Sequence, residues 1–338
     1  MIPRIVFAGL LLAAAPFVSS ARNPACPSGG GVPVKSDWNV TDHIALENFV
    51  VQSHRGAGDL AEEGTLESFK LGWSLGTIPE ADVRATKDGV IVSFHDGNFS
   101  RLIKDADDTL KKSSVEKSTW EFLQTLDVGA WKGEQFKGRR VPKMADIFAY
   151  MSDKPGLRLY LDIKKVDFAK LAAVVRDAGV ADRVIVASNK PPFLVTWKKL
   201  VPESGTLLWM PGGEQEITKI LDDLVASGDI KAITSLQLHV HPNRNGKNYN
   251  PATDGGKNWK NIPCTTDPDE PFNHTLDFIR RLGVRLRALG ITYQAFPWMP
   301  NDDAYAALMD LGVASFATDH PDVTMREIKA YYARHGKR

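Results

Sequence analysis

The chain has 338 residues, 43% of them hydrophobic and 25% charged, with a formal net charge of +1. That is a globular composition with ample length to bury a core. A balance this even offers no electrostatic footprint for nucleic acid or for an anionic membrane surface. The length suits two domains or one α/β barrel, and no internal repeat divides it.

Residues 1–21 have the pattern of a secretory signal peptide. Arg4 supplies the positive start, residues 5–17 are an apolar run too short to span a bilayer, and small residues lead to a cleavage point near Ala21. The expectation is an exported protein, secreted or periplasmic, with no stable membrane insertion. Of the two cysteines, Cys26 follows this segment and Cys264 lies far along the chain. An oxidising compartment would allow one disulfide between them, free thiols being the alternative. Residues 22–48, with four prolines or glycines in 24–30 alone, predict an extended lead-in.

From residue 49 apolar runs of strand length alternate with amphipathic segments of helical period. Strands are predicted at 49–52, 78–83, 90–94, 158–163, 183–188, 206–210, 231–238, 291–296 and 315–318. Helices are predicted at 65–76, with Thr65 as N-cap, and at 168–178, 193–201, 214–227, 276–289 and 302–311. Such alternation implies a parallel sheet with helical crossovers, here a (β/α)8 TIM barrel over residues 49–330. Nine strands are one too many for that barrel, so either 206–210 or 231–238 is expected to be peripheral. A long, mostly polar insertion (97–145) follows the third strand, and a long loop rich in Asn, Gly, Pro and Asp (239–271) comes late in the barrel.

The chemistry-bearing residues fall where these strands end, as a barrel site requires. His54 and His95 follow the first and third strands. Glu80 and Asp82 share one strand face by their i, i+2 spacing, and Asp162 closes the fourth strand. Three carboxylates suit one hard divalent cation, Mg²⁺ or Ca²⁺. Two imidazoles suit proton transfer near neutral pH. Lys164, two residues beyond Asp162, adds positive charge to the same face. His239 and His241, spaced i, i+2, open the late loop; they suit the lining of the substrate pocket or a structural role, with a second metal site as the lesser alternative.

Taken together, HRG at 54–56, EGT at 63–65, E-x-D at 80–82, TKDG at 86–89, HD at 95–96 and TDHP at 318–321 resemble the glycerophosphodiester phosphodiesterase family. The resemblance implies a barrel that hydrolyses small glycerophosphodiesters to glycerol 3-phosphate and an alcohol. It implies His54 and His95 as the catalytic pair, Arg55 on the phosphate, and a metal on Glu80, Asp82 and a third carboxylate. Members usually carry Glu at that third position, and here Asp162 is one methylene shorter. Glu63 falls at a supporting glutamate, and Trp298 where an aromatic often walls the glycerol pocket. The expected order has His54 drawing a proton from the glycerol 2-hydroxyl and His95 protonating the departing alcohol, by way of a cyclic phosphate. Two rivals stand beside this reading. One is a phospholipase D-like or lysophospholipid-cleaving activity, which needs an apolar rim such as Phe99, Leu102, Trp131 and Phe136. The other is a non-catalytic phosphate- or carbohydrate-binding barrel.

Overall fold

The structure is a computed structural model that describes residues 32–241, 243, 269–297 and 302–337. The signal segment, Cys26, Cys264, Trp298 and most of the late loop lie outside the described residues. The strands are β1 (Val50–Ser53), β2 (Ile78–Ala85), β3 (Ile91–Ser93), β4 (Leu159–Lys165), β5 (Val184–Ser188), β6 (Gly205–Met210), β7 (Ser235–Val240), β8 (Thr292–Pro297) and β9 (Ser315–Thr318). All but β3 pair in parallel in the order β1-β2-β4-β5-β6-β7-β8-β9, and β9 returns to β1 to close the barrel. The (β/α)8 expectation holds, but the surplus strand was misplaced. Residues 206–210 and the later part of 231–238 are both barrel strands, the stretch Asp229–Ala232 being a 3-10 turn. The extra strand is β3, antiparallel to the end of β2. A parallel partner needs a crossover of a dozen or more residues, and the turn at 86–90 is too short for one.

The helices described are α1 (Leu66–Ser74), α2 (Asp108–Lys111), α3 (Trp120–Leu123), α4 (Met144–Ser152), α5 (Phe168–Asp177), α6 (Pro191–Leu200), α7 (Glu214–Ser227), α8 (Leu276–Ala288), α9 (Asp302–Asp310) and α10 (Pro321–Arg334). Thr65 caps α1 by accepting from the Ser68 N–H, as the sequence predicts. The main core lies between strands and outer helices, where outward residues such as Val51, Ala81, Leu161 and Val186 meet Phe69, Ile147, Leu171 and Trp197. A smaller apolar cluster, Tyr160, Ile185, Ala187 and Leu207, fills part of the barrel interior. Inward residues nearer β7 and β8 are polar, and Gln52, Gln237 and Gln294 hydrogen-bond one another there.

Two segments read as irregular are docked. In the lead-in, the Ser36 N–H donates to Asp310 O, the Tyr332 hydroxyl donates to Ile44 O, and Val32 and Val40 are buried. The insertion has its own core, in which Phe99, Leu102, Ile103, Val115, Leu123, Leu126, Val128 and Val141 pack with Val92 and Phe94 of the β3 region. Phe99 and Leu102 are therefore interior residues, not an exposed apolar rim.

Candidate active site

The loop after β1 sets the first part of the site. The His54 N–H donates to Thr318 O at 2.9 Å, which ties the loop to the end of β9. Arg55 takes a left-handed backbone, φ 52°, unusual for a side-chain-bearing residue and of order 1 kcal/mol or more in strain. That turn aims its N–H at Glu80 Oε2, 2.8 Å away. Gly58, φ 59°, admits the close approach of the β9 end, since a Cβ there would stand 2.2 Å from Asp319 O. The HRGAG run thus joins the two strands that close the barrel.

The carboxylates come from β2 and β4, with Asp82 directly opposite Asp162 in register. Glu80 and Asp82 lie within β2 rather than at its end, because β2 runs on to pair with β3. Ligand oxygens of Glu80, Asp82 and Asp162 all lie within 4.8 Å of one another. Glu80 Oε1 is buried without a hydrogen-bond partner, and Asp82 Oδ1 has Lys164 Nζ at 3.1 Å but off the hydrogen-bonding direction. Lys164 Nζ also donates to Asp162 Oδ2 at 2.6 Å, and Trp209 Nε1 reaches Asp162 Oδ1 at 3.4 Å. Burial, then the Asp82 charge, pushes the Glu80 carboxyl well above its ordinary range. Burial opposes ionisation of Asp82 as well, but Lys164, His95 and Arg55 outweigh it and hold Asp82 low. Hard oxygen donors, orphaned lone pairs and excess buried negative charge fit a hard divalent cation. The shorter Asp162 still reaches the cluster.

Each histidine is backed by a carboxylate. His54 Nδ1 lies 2.7 Å from Asp319 Oδ1, and His95 Nδ1 lies 2.7 Å from Asp96 Oδ1. An ionised carboxylate only accepts, so both rings carry their Nδ1 proton. Burial alone would lower the pKa of His54, but the charge and hydrogen bond of Asp319 overcome it, and the net shift is upward. At His95, Arg55 Nη2 approaches Nε2 to 2.7 Å. Arginine has no acceptor, so this nitrogen holds a lone pair. Arg55 Nη1 also reaches Glu63 at 3.3 and 3.4 Å. Glu63 in turn accepts both Arg101 Nη atoms, at 2.6 and 2.7 Å, while Arg101 Nε donates to Asp96 at 2.8 Å. Glu63, His95 and Asp96 form a second cluster of potential ligands, but two guanidinium groups already neutralise it.

The structure thus brings together His54, Arg55, Glu63, Glu80, Asp82, His95, Asp162 and Lys164, all named from sequence. The roles of Asp319 and Asp96 were not read there, although both sit inside quoted motifs, and Arg101 had no role. Trp209, on β6, stands beside Asp162.

Fold and site define a (β/α)8 barrel with two carboxylate-backed histidines and a cluster of three carboxylates at its mouth. The chain matches the model of the glycerophosphoryl diester phosphodiesterase family over residues 54–323 and belongs to that family. It is 31% identical over 163 residues to the glycerophosphodiester phosphodiesterase of Caldanaerobacter subterraneus subsp. tengcongensis, a match covering 45% of this chain and 63% of that protein. The match thus spans less than two thirds of that relative's length. In fold it is similar to a glycerophosphodiester phosphodiesterase from Agrobacterium tumefaciens (TM-score 0.59, 20% identity, 82% of this chain and 99% of that one). It is also similar to an Oleispira antarctica phosphodiesterase in complex with the product sn-glycerol-3-phosphate (TM-score 0.56, 21% identity, 83% and 96%).

Proposed function

We propose that this chain hydrolyses glycerophosphodiesters to glycerol 3-phosphate and an alcohol, using one divalent cation and the pair His54 and His95. The observation that carries the reading is the pair of carboxylate-backed histidines at the mouth that also holds the three-carboxylate cluster. A pure binding barrel needs no two acid–base groups, which disfavours the non-catalytic alternative. The lysophospholipid alternative loses half of its rim, since Phe99 and Leu102 are buried in the insertion core while Trp131 and Phe136 stay half-exposed.

Glu80, Asp82 and Asp162 would hold Mg²⁺ or Ca²⁺, whose charge offsets that of a non-bridging phosphate oxygen. Arg55 presents a planar fork to the phosphate, and Lys164 adds charge beside it. When Arg55 turns to the phosphate it uncovers the His95 Nε2 lone pair. His95 then takes the proton of the glycerol 2-hydroxyl, which attacks phosphorus with a large proximity advantage over water. His54, whose pKa Asp319 raises, donates to the departing alcohol, and water later opens the cyclic phosphate. This reverses the expected histidine roles, because Arg55 caps His95 as an acceptor while Asp319 raises His54.

Export belongs to the same proposal and rests on residues 1–21. No helix among the described residues is long and apolar enough to cross a membrane. The test is a coupled assay for glycerol 3-phosphate with glycerophosphocholine and glycerophosphoethanolamine, after chelation and on return of Mg²⁺, Ca²⁺ or Mn²⁺. Activity should vanish with chelator and return with at least one ion. Undiminished turnover in excess chelator would refute the cation's part.

A further inference from the structure

On the reading that the site cleaves glycerophosphodiesters, we propose that His239 binds the substrate, its Nδ1 accepting a hydrogen bond from a substrate hydroxyl. A chain of hydrogen bonds runs through the barrel interior from β1 and β9 to β7. Val50 O can only accept, and Ser315 Oγ donates to it at 2.9 Å, so the Ser315 proton is committed. Gln294 Nε2 therefore donates to Ser315 Oγ at 3.0 Å, which turns Gln294 Oε1 toward Gln237 Nε2 at 2.6 Å. Gln237 Nε2 also donates to Gln52 Oε1 at 3.2 Å. That leaves Gln237 Oε1 facing His239 Nε2 at 3.1 Å, and the histidine must be the donor. A relay anchored on a backbone carbonyl thus fixes the tautomer of His239: Nε2 bears the proton and Nδ1 is a bare lone pair.

Gln237 and His239 sit two residues apart on β7 and share a face, with Gln237 one layer deeper. The two ring nitrogens point in nearly opposite directions. With Nε2 directed down at Gln237, Nδ1 is directed toward the C-terminal mouth. It is buried and has no hydrogen-bond partner. Burial, then the neighbouring His241, pushes the ring pKa down to about 3, so the lone pair persists at any working pH.

The surroundings place this acceptor beside the reaction centre. Trp209 stacks on the His239 ring, centroids 5.3 Å apart and planes 8° apart, while the indole N–H faces Asp162. Phe296 meets His239 edge-on at 5.6 Å and also meets the His54 ring at 5.1 Å. His239 is therefore one aromatic ring away from Asp162 through Trp209 and one from His54 through Phe296, with one unused acceptor. A buried acceptor without a partner is unfavourable by roughly 1–3 kcal/mol until a donor arrives. Glycerophosphodiesters bring such donors from two sources, the terminal hydroxyl of the glycerol or a hydroxyl of the departing alcohol.

The test uses a glycerophosphodiester whose departing alcohol is 1,3-propanediol, which has no hydroxyl beside its ester carbon, and two analogues. The first replaces the terminal hydroxyl of the attacking glycerol by hydrogen and keeps the 2-hydroxyl. The second carries n-propanol as departing alcohol. kcat/KM is measured for the wild type, His239→Phe and His239→Asn. The wild type should prefer the parent over one analogue by at least ~10-fold, and which analogue suffers names the source of the hydroxyl. His239→Phe keeps a stacking ring but loses the acceptor, and should shrink the preference to within ~2-fold. Asn, whose carbonyl can stand near Nδ1, should restore much of it. A purely structural His239 would slow all three substrates alike and leave the preference intact. That result, or a wild type indifferent to both deletions, overturns the inference. A wild type that cleaves none of the three would bring down the function reading itself, and the assignment with it.

Discussion

Asp319 is the residue whose importance the structure adds most plainly. It is 265 positions from His54, and its motif could be quoted without any sign of what it touches. Its charge raises the pKa of His54 against burial. If His54 acts as the acid, activity falls as pH rises through that pKa. Asp319→Asn should lower the pKa, moving the alkaline limb of the kcat/KM profile to lower pH. An unchanged limb with merely reduced height would mean Asp319 only positions the ring. The roles of the two histidines separate on the departing alcohol. His54→Ala should be far less damaging, by at least ~10-fold, with a 4-nitrophenyl diester than with a choline diester, because a good leaving group needs little protonation. His95→Ala should be equally poor on both. The opposite pattern would restore the roles first expected from the motifs. His54, Arg55, Glu80, Asp82 and His95 were legible because residue type, spacing and order all pointed one way. Asp319 and Arg101 were not, because their partners are set by barrel closure and the insertion's path rather than by neighbours in sequence.

At the scale of elements, β3 and the insertion behave as one unit attached to β2. The signal for β3 was present, since a tight turn at 86–90 cannot join parallel strands, but residues 90–94 have the same apolar pattern as a barrel strand. The insertion's core escaped notice for a different reason. Phe99, Leu102, Leu123 and Val128 follow neither a two- nor a 3.6-residue period, so their convergence is a product of tertiary folding. Because His95, Asp96 and Arg101 lie on the chain that enters this unit, its packing and the site are coupled. Leu123 is completely buried, and Leu123→Ala should destabilise the insertion by about 2–5 kcal/mol. Hydrogen exchange should then quicken across 97–141 while β4 to β8 stay protected, and kcat/KM should fall. Uniform loss of protection would show that insertion and barrel unfold together.

For the whole molecule, strand–helix alternation predicted a parallel sheet with helical crossovers, and the polar residues at strand ends together with the family resemblance pointed to its closure as a barrel. Family membership fits that architecture, and the carboxylates sit where β2 and β4 lie side by side. The central claim is that this mouth cleaves glycerophosphodiesters through attack by the neighbouring hydroxyl. The most direct measurement is a ³¹P NMR time course of glycerophosphocholine with the purified chain and the activating cation. The account predicts a transient five-membered cyclic glycerol phosphate signal, far downfield of the diester, that gives way to glycerol 3-phosphate. Steady formation of glycerol 3-phosphate, with no cyclic species even in single-turnover samples and an equal rate for the 2-deoxy substrate, would contradict it.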